Sequence, residues 1–173
     1  MSRSRRRDEE FAEFVAARSP QLYRSAYLLT TTPHAAEDLV QTALAKAYAA
    51  WARVSSADDP VAYIHGVLIK SFLSDRRRRS SGELPVADVP ERATRDADPA
   101  PGTTERLALL AALAELPPLD RAVVVLRYWE DRSVGETASE LGLSEAAVKN
   151  RSLRALRALR GLLSEPHTNG SNR

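Results

Sequence analysis

The chain of 173 residues contains no cysteine. Disulfides, thiolate metal sites and cysteine nucleophiles are thereby excluded. Histidine is scarce: His34, His65 and His167 stand far apart, without the short spacings that let imidazoles share a zinc ion. There is no glycine-rich phosphate loop and no nucleophile-and-base pattern, so nothing points to an enzyme, a cofactor or a small-molecule substrate. Long apolar runs are missing too. The longest, Leu107 to Leu116, falls far below the roughly 20 apolar residues that a bilayer span needs. Met1 to Glu10 is basic and then acidic, with no apolar stretch behind it, unlike a signal peptide. These absences predict a soluble cytoplasmic protein with no metal, no cofactor and no membrane partner.

What is present is helical signal. Apolar residues make up 43% of the chain, enough to form a packed core. Net charge is only +2, but the basic residues are clustered, and a cluster attracts phosphate however small the sum. Ser19-Pro20, Thr32-Pro33 and Asp59-Pro60 each set a capping side chain before a proline. A proline in the first turn forfeits no needed hydrogen bond, so the three pairs predict three helix starts. A short helix ahead of the first would turn Phe11, Phe14 and Val15 inward. From Pro33, the residues Ala36, Leu39, Val40, Ala43, Leu44, Ala47, Tyr48 and Trp51 recur at spacings of three and four, a buried stripe. From Pro60, Val61, Ile64, Val67, Leu68 and Phe72 do the same. That helix ends in Arg76 to Arg79, cations at the end a helix dipole favours.

Composition then shifts. Ser80 to Thr104 is rich in Pro, Asp, Ala and Thr and almost lacks large apolar residues. It reads as a flexible, mildly acidic linker, and it divides the chain into domains at 1–79 and 105–163, with a frayed tail at 164–173. In the second domain Leu107, Leu110, Leu113 and Leu116 predict a helix stopped by Pro117-Pro118, and Leu119 to Trp129 predicts another. No internal repeat relates the halves. The fold class is all-α: two small helical domains on a flexible linker.

The sharpest local pattern is Ser133 to Arg157. Ser133 with Glu136 forms a capping box, Gly142 supplies a left-handed stop after Leu141, and Ser144 caps a last helix running to about Leu163. Ala138 leaves room for close helix approach, and Val148 would plug the shared core. This is helix-turn-helix geometry, whose second helix enters the major groove. That helix buries Val148, Ala155, Leu159 and Leu162 in this reading. It carries Lys149, Asn150, Arg151, Arg154, Arg157 and Arg160, with Glu145 its one acid. Lys149, Asn150, Leu153 and Arg154 would project near its N-terminal half, where base edges are read, while Arg157 and Arg160 would meet phosphates. An arginine-rich solvated face is the bland alternative for the helix alone.

The stretch LPPLDRAVVVLRYWEDRSVGETASELGLSEAAVKNRSLRALR, Leu116 to Arg157, resembles domain four of the extracytoplasmic-function sigma factors. HAAEDLVQTALAKAYAAW, His34 to Trp51, is similar to the helix of their domain two that grips RNA polymerase. PVAYIHGVLIKSFLSDRRRR, Pro60 to Arg79, is similar to the adjoining promoter-melting helix. The resemblance covers nearly the whole chain and implies a non-enzymatic factor that binds core polymerase at the clamp coiled coil and the flap, and binds promoter DNA. An anti-sigma factor is a further partner it allows. By position, Glu37, Asp38 and Gln41 would meet the clamp coiled coil. Val54 to Asp59 matches the loop that captures a flipped base, with Ser55, Ser56 and Asp58 as hydrogen-bonding groups. Tyr63, Lys70, Ser71, Arg76, Arg77, Arg78 and Arg79 would face the minus-ten element. Lys149, Asn150, Arg151, Leu153, Arg154, Arg157 and Arg160 would serve the minus-thirty-five element.

The chain departs from the family pattern at Ser71, usually asparagine, at Ala146 and Ala147, usually glycine and threonine, and at Thr137, usually isoleucine. The competing readings are a stand-alone helix-turn-helix regulator binding operators as a homodimer, and an interaction module that binds polymerase without opening promoters.

Overall fold

A computed structural model describes residues 2–82 and 103–165. Among these residues every regular element is helical, and they fall in two compact units, one on either side of the stretch left undescribed. The first unit holds α1 (Arg3–Thr30), α2 (Pro33–Ala49), α3 (Trp51–Ser55) and α4 (Pro60–Ser80). The second holds α5 (Thr103–Glu115), α6 (Pro118–Val124), a π turn (Val125–Trp129), α7 (Val134–Leu141) and α8 (Glu145–Ser164). Most of the expected linker and tail, 83–102 and 166–173, lies outside the described residues. Among those described, no helix is long and apolar enough to cross a membrane.

One expected helix start does not occur. α1 passes straight through Ser19-Pro20, which lies in its interior. A proline there forfeits one backbone bond and crowds the preceding turn, at a cost of about 3 kcal/mol. Burial on both sides outweighs it. Before the proline, the Phe11 and Phe14 rings each lie 5.3 Å from Trp51. After it, Leu22, Ala26 and Leu29 are fully buried. Each fully buried leucine contributes about 2 kcal/mol, and Pro20 itself faces solvent. α1 ends on Thr31, whose φ of 66° is left-handed and whose N–H closes on the Tyr27 carbonyl.

The other two proline pairs do start helices, by different means. The Asp59 carboxylate accepts from the Ala62 N–H at 3.0 Å, whereas Thr32 makes no side-chain cap. α2 buries Ala36, Leu39, Val40, Ala43, Leu44 and Ala47 as its period requires. Trp51 is buried too, but one element later, on α3. Tyr48 turns partly outward, its hydroxyl donating to Asp8. α4 buries Ile64, Leu68, Ile69 and Phe72 against α1 and α2.

In the second unit α5 buries Leu110 and Leu113 and leaves Leu107 exposed. The Arg121 guanidinium, buried on α6, donates to the carbonyls of Ala114 and Leu116, closing the end of α5. The expected helix Leu119 to Trp129 is α6 running into the π turn, closed by Glu130 N–H to Val125 O at 2.9 Å. α7 and α8 meet over Val123, Ala138 and Val148, with Val134, Leu141 and Leu143 packed against them.

Candidate functional site

Local chemistry sets the α7–α8 turn. Ser133 Oγ accepts from the Glu136 N–H at 3.0 Å while Glu136 Oε1 accepts from the Ser133 N–H at 3.2 Å, so both bonds of the capping box form. The bond from the Ser133 backbone, with the Ser133 hydroxyl and the Arg132 guanidinium beside it, holds the Glu136 carboxyl below its ordinary value. Gly142 ends α7 at φ 64°, a conformation that suits glycine. Ser144 then starts α8, accepting from the Ala147 N–H at 3.1 Å. Val148 on α8 is fully buried against Ala138 on α7, the close approach that fixes one helix across the other.

α8 presents Lys149, Asn150, Leu153, Arg154, Arg157 and Arg160 on exposed positions, with Leu153 51% exposed. Its inner side is Val148, Ser152, Ala155 and Leu159. Leu162, expected inside, is exposed, whereas Leu159 one turn earlier is buried.

Two of the arginines are not free. Asp120 on α6 is 1% exposed, and its carboxylate holds both. Arg151 Nη1 donates to Oδ1 at 2.8 Å. Arg154 donates through Nε to Oδ2 at 3.1 Å and through Nη2 to Oδ1 and Oδ2 at 2.9 and 3.0 Å. Burial pushes the Asp120 pKa up, but the bonds from Arg154 and Arg151 outweigh it and hold the carboxyl below its ordinary value. The same pair raises the Arg154 guanidinium, chiefly through the hydrogen bond.

In the first unit Glu37, Asp38 and Gln41 share the exposed side of α2, opposite the buried Leu39 and Leu44. His34 Nε2 lies 3.5 Å from Asp38 Oδ2, one turn back. Ser55, Ser56 and Asp58 are exposed, although Val54 is buried and Ser55 still belongs to α3, so the open segment is shorter than the sequence suggests. The Ser56 hydroxyl donates to the Ala52 carbonyl at 2.8 Å. Tyr63 is half-buried and Lys70 exposed on α4. Arg76 lies over the Phe72 ring at 5.6 Å, Arg79 pairs with Asp75 at 3.5 Å, and Arg77 and Arg78 face solvent.

Ser71 is the exception. It does not face outward with Lys70 but is buried, and its hydroxyl accepts from Lys46 Nζ on α2 at 3.0 Å. At this phase α4 points toward α2, where a short hydroxyl fits beneath the long ammonium stem.

Sequence reasoning missed Asp120 and Lys46. Asp120 stands one helical turn before Val123, at a core phase, and an acid there demands a buried partner. Arg151 and Arg154, three apart on α8, could have been named as candidates. Nothing local marks Lys46.

Residues 14–82 match the family model for sigma-70 region 2, and residues 106–159 match that for sigma-70, region 4. The RNA polymerase sigma-E factor of Streptomyces coelicolor is 40% identical over 151 residues, covering 87% of this chain and 84% of that one. The ECF RNA polymerase sigma factor SigL of Mycobacterium tuberculosis is 33% identical over 149 residues, 83% of each chain. Among solved structures, the sigma factor RpoE of Bartonella quintana, in complex with the anti-sigma factor NepR, is similar with a TM-score of 0.70. It is 25% identical, over 90% of this chain and 97% of that one.

Proposed function

From the extracytoplasmic-function branch of the sigma-70 family, to which the chain belongs, we infer that it binds core RNA polymerase and directs promoter-specific initiation, with all chemistry left to the polymerase. It works in the cytoplasm, where that polymerase is. The observation that carries this reading is the pairing, in order, of two different sigma regions in two units, the second ending in a capped helix-turn-helix with a basic outer face.

The exposed α2 face, Glu37, Asp38 and Gln41, meets the clamp coiled coil; its acids supply charge that basic partner groups can match. The flap is the second polymerase contact that the family implies. Ser55, Ser56 and Asp58 receive a base flipped from the upstream edge of the melted region, whose unstacking costs a few kcal/mol and needs hydrogen bonds and stacking in return. Tyr63 stacks on an exposed minus-ten base, while Lys70, Arg76, Arg77, Arg78 and Arg79 neutralise phosphates. Ser71 serves the α2–α4 contact instead. On α8, Lys149, Asn150, Leu153 and Arg154 read the minus-thirty-five bases, with Arg151 behind them, and Arg157 and Arg160 hold the backbone. An anti-sigma factor, as the Bartonella sigma factor has in NepR, is a further partner of this chain in the same reading.

Run-off transcription with core polymerase on a promoter library tests this. The expected result is transcription from a defined subset, with none from core polymerase alone. Tight operator binding by the free chain as a homodimer, with no gain in transcription, would establish the stand-alone regulator instead.

A further inference from the structure

Asp120 is an acid where an acid is costly. A carboxylate at 1% exposure has lost its water, and only close, charged partners offset that loss. Both partners come from the helix that carries the exposed basic face. Arg151 is largely covered and gives one bond, at 2.8 Å. Arg154 gives three, yet its side chain stays 63% exposed.

The atoms used matter. A guanidinium is a flat fork with a side edge, Nε with Nη2, and an end, Nη1 with Nη2. Asp120 takes the side edge, and Nη1 takes part in none of the three bonds. A carboxylate seated on the side edge fixes the plane of the fork and directs its end away from itself. Two coplanar N–H groups at that end match the O6 and N7 acceptors of a guanine in the major groove. An arginine with no such support keeps its rotamer freedom and can bond any phosphate in reach.

We propose that Asp120 is the positioning residue of the recognition helix: it grips the Arg154 side edge so that the open end is presented to one guanine of the minus-thirty-five element, with Arg151 as the strut that seats α8 on α6. This rests on the DNA-reading function assigned to the second unit. It makes Asp120, which touches no DNA itself, a determinant of sequence preference. Arg154 is both held and exposed, an arrangement that fastening two helices together does not require.

The test uses the full chain assembled with core polymerase and a set of promoters that differ at single minus-thirty-five base pairs. Wild type, Asp120→Asn, Arg154→Ala and the double variant are compared for relative affinity and its salt dependence. Asp120→Asn keeps the shape and removes the charge. It should lose roughly tenfold discrimination at one guanine, with a salt slope unchanged or steeper, because the released arginine can move to a phosphate. Arg154→Ala should lose discrimination at the same base pair, and the double variant should lose no more than either single one. Arg154→Lys keeps the charge and the fold but lacks the fork, so it should lose the same discrimination even if Asp120→Asn fails to fold.

If Asp120→Asn weakens all sequences equally and adds to Arg154→Ala, Asp120 only fastens the helices and the proposal is wrong. A lysine that discriminates as wild type does also overturns it. A wild-type chain with no preference at any minus-thirty-five base pair overturns the DNA-reading of this unit, and the proposal with it.

Discussion

The Lys46 ammonium on α2 donates to the Ser71 hydroxyl on α4 at 3.0 Å, and this bond ties together two helices to which the proposed function gives different partners. Ser71 is buried, so the bond belongs to the core of the first unit rather than to its surface. Replacing Ser71 with alanine should therefore cost stability, about 1 kcal/mol for a lost bond to a charged donor that is partly solvated. Urea unfolding followed at Trp51, the first unit's tryptophan, measures it. Promoter opening per folded molecule should be unchanged. Impaired opening with unaltered unfolding would return Ser71 to the DNA face.

The clamp face is tested by reversing charge at Glu37 and Asp38 together. Both are exposed, and the contact of Asp38 with His34 at 3.5 Å is a solvent-exposed pair of small weight. Thermal unfolding should barely move. Affinity for core polymerase should fall by about tenfold or more, since like charges then face each other across the contact. Unchanged retention of the double variant on immobilised core polymerase would remove these residues from the interface.

Thr31 offers a gain. Its φ of 66° places a β-branched residue in the left-handed region, where side chain and backbone collide. The position ends α1, and glycine is the usual residue there. Thr31→Gly should stabilise the first unit by roughly 0.5–1 kcal/mol. A lower urea midpoint in the variant would mean that the hydroxyl bond to the Thr30 carbonyl outweighs the strain.

How much of this was legible depended on range. The capping box at Ser133, the Gly142 stop and the Asp59 cap were read correctly because each is decided within three or four residues. The helix break at Pro20 was read wrongly because the local rule is sound but distant aromatic packing on Trp51 overrides it. The basic face of α8 was visible as helical phase. Its grip on Asp120 was not, since the partners are 34 residues apart and only the fold brings them together. Burial of Ser71 was missed for the same reason: its neighbour Lys70 is exposed, and only the approach of α2 decides which side is inside.

Asp120 also predicts acid sensitivity. Its folded pKa lies below the ordinary 3.8, so the pairing contributes its full stability above 3.8 and loses it as pH falls through the lower folded value. Asp120→Asn should be less stable than wild type at neutral pH by about 1–3 kcal/mol. The gap should close as pH drops below 3.8, because a protonated aspartic acid then resembles asparagine. Trp129, the second unit's tryptophan, reports the unfolding. A gap that stays constant down to acid pH would show that charge is not what Asp120 supplies.

Arg157 and Arg160 should act through charge alone. Both are exposed on α8, one and two turns beyond Arg154; in the proposed docking that part of the helix would leave the groove floor and run along the phosphates. Among the described residues no hydrogen bond orients the Arg157 side chain, whereas Asp120 holds that of Arg154, so Arg157 can follow the nearest phosphate oxygen. Arg157→Ala should weaken binding to every promoter by a similar factor and reduce the slope of log affinity against log salt by about one. Arg160→Ala should do the same more weakly, being further along. The measurement is holoenzyme binding to a promoter library at two salt concentrations. If Arg157→Ala instead changes which sequence is preferred, α8 lies deeper or at another angle in the groove than its exposed face implies, and the base-reading residues must be sought one turn further along.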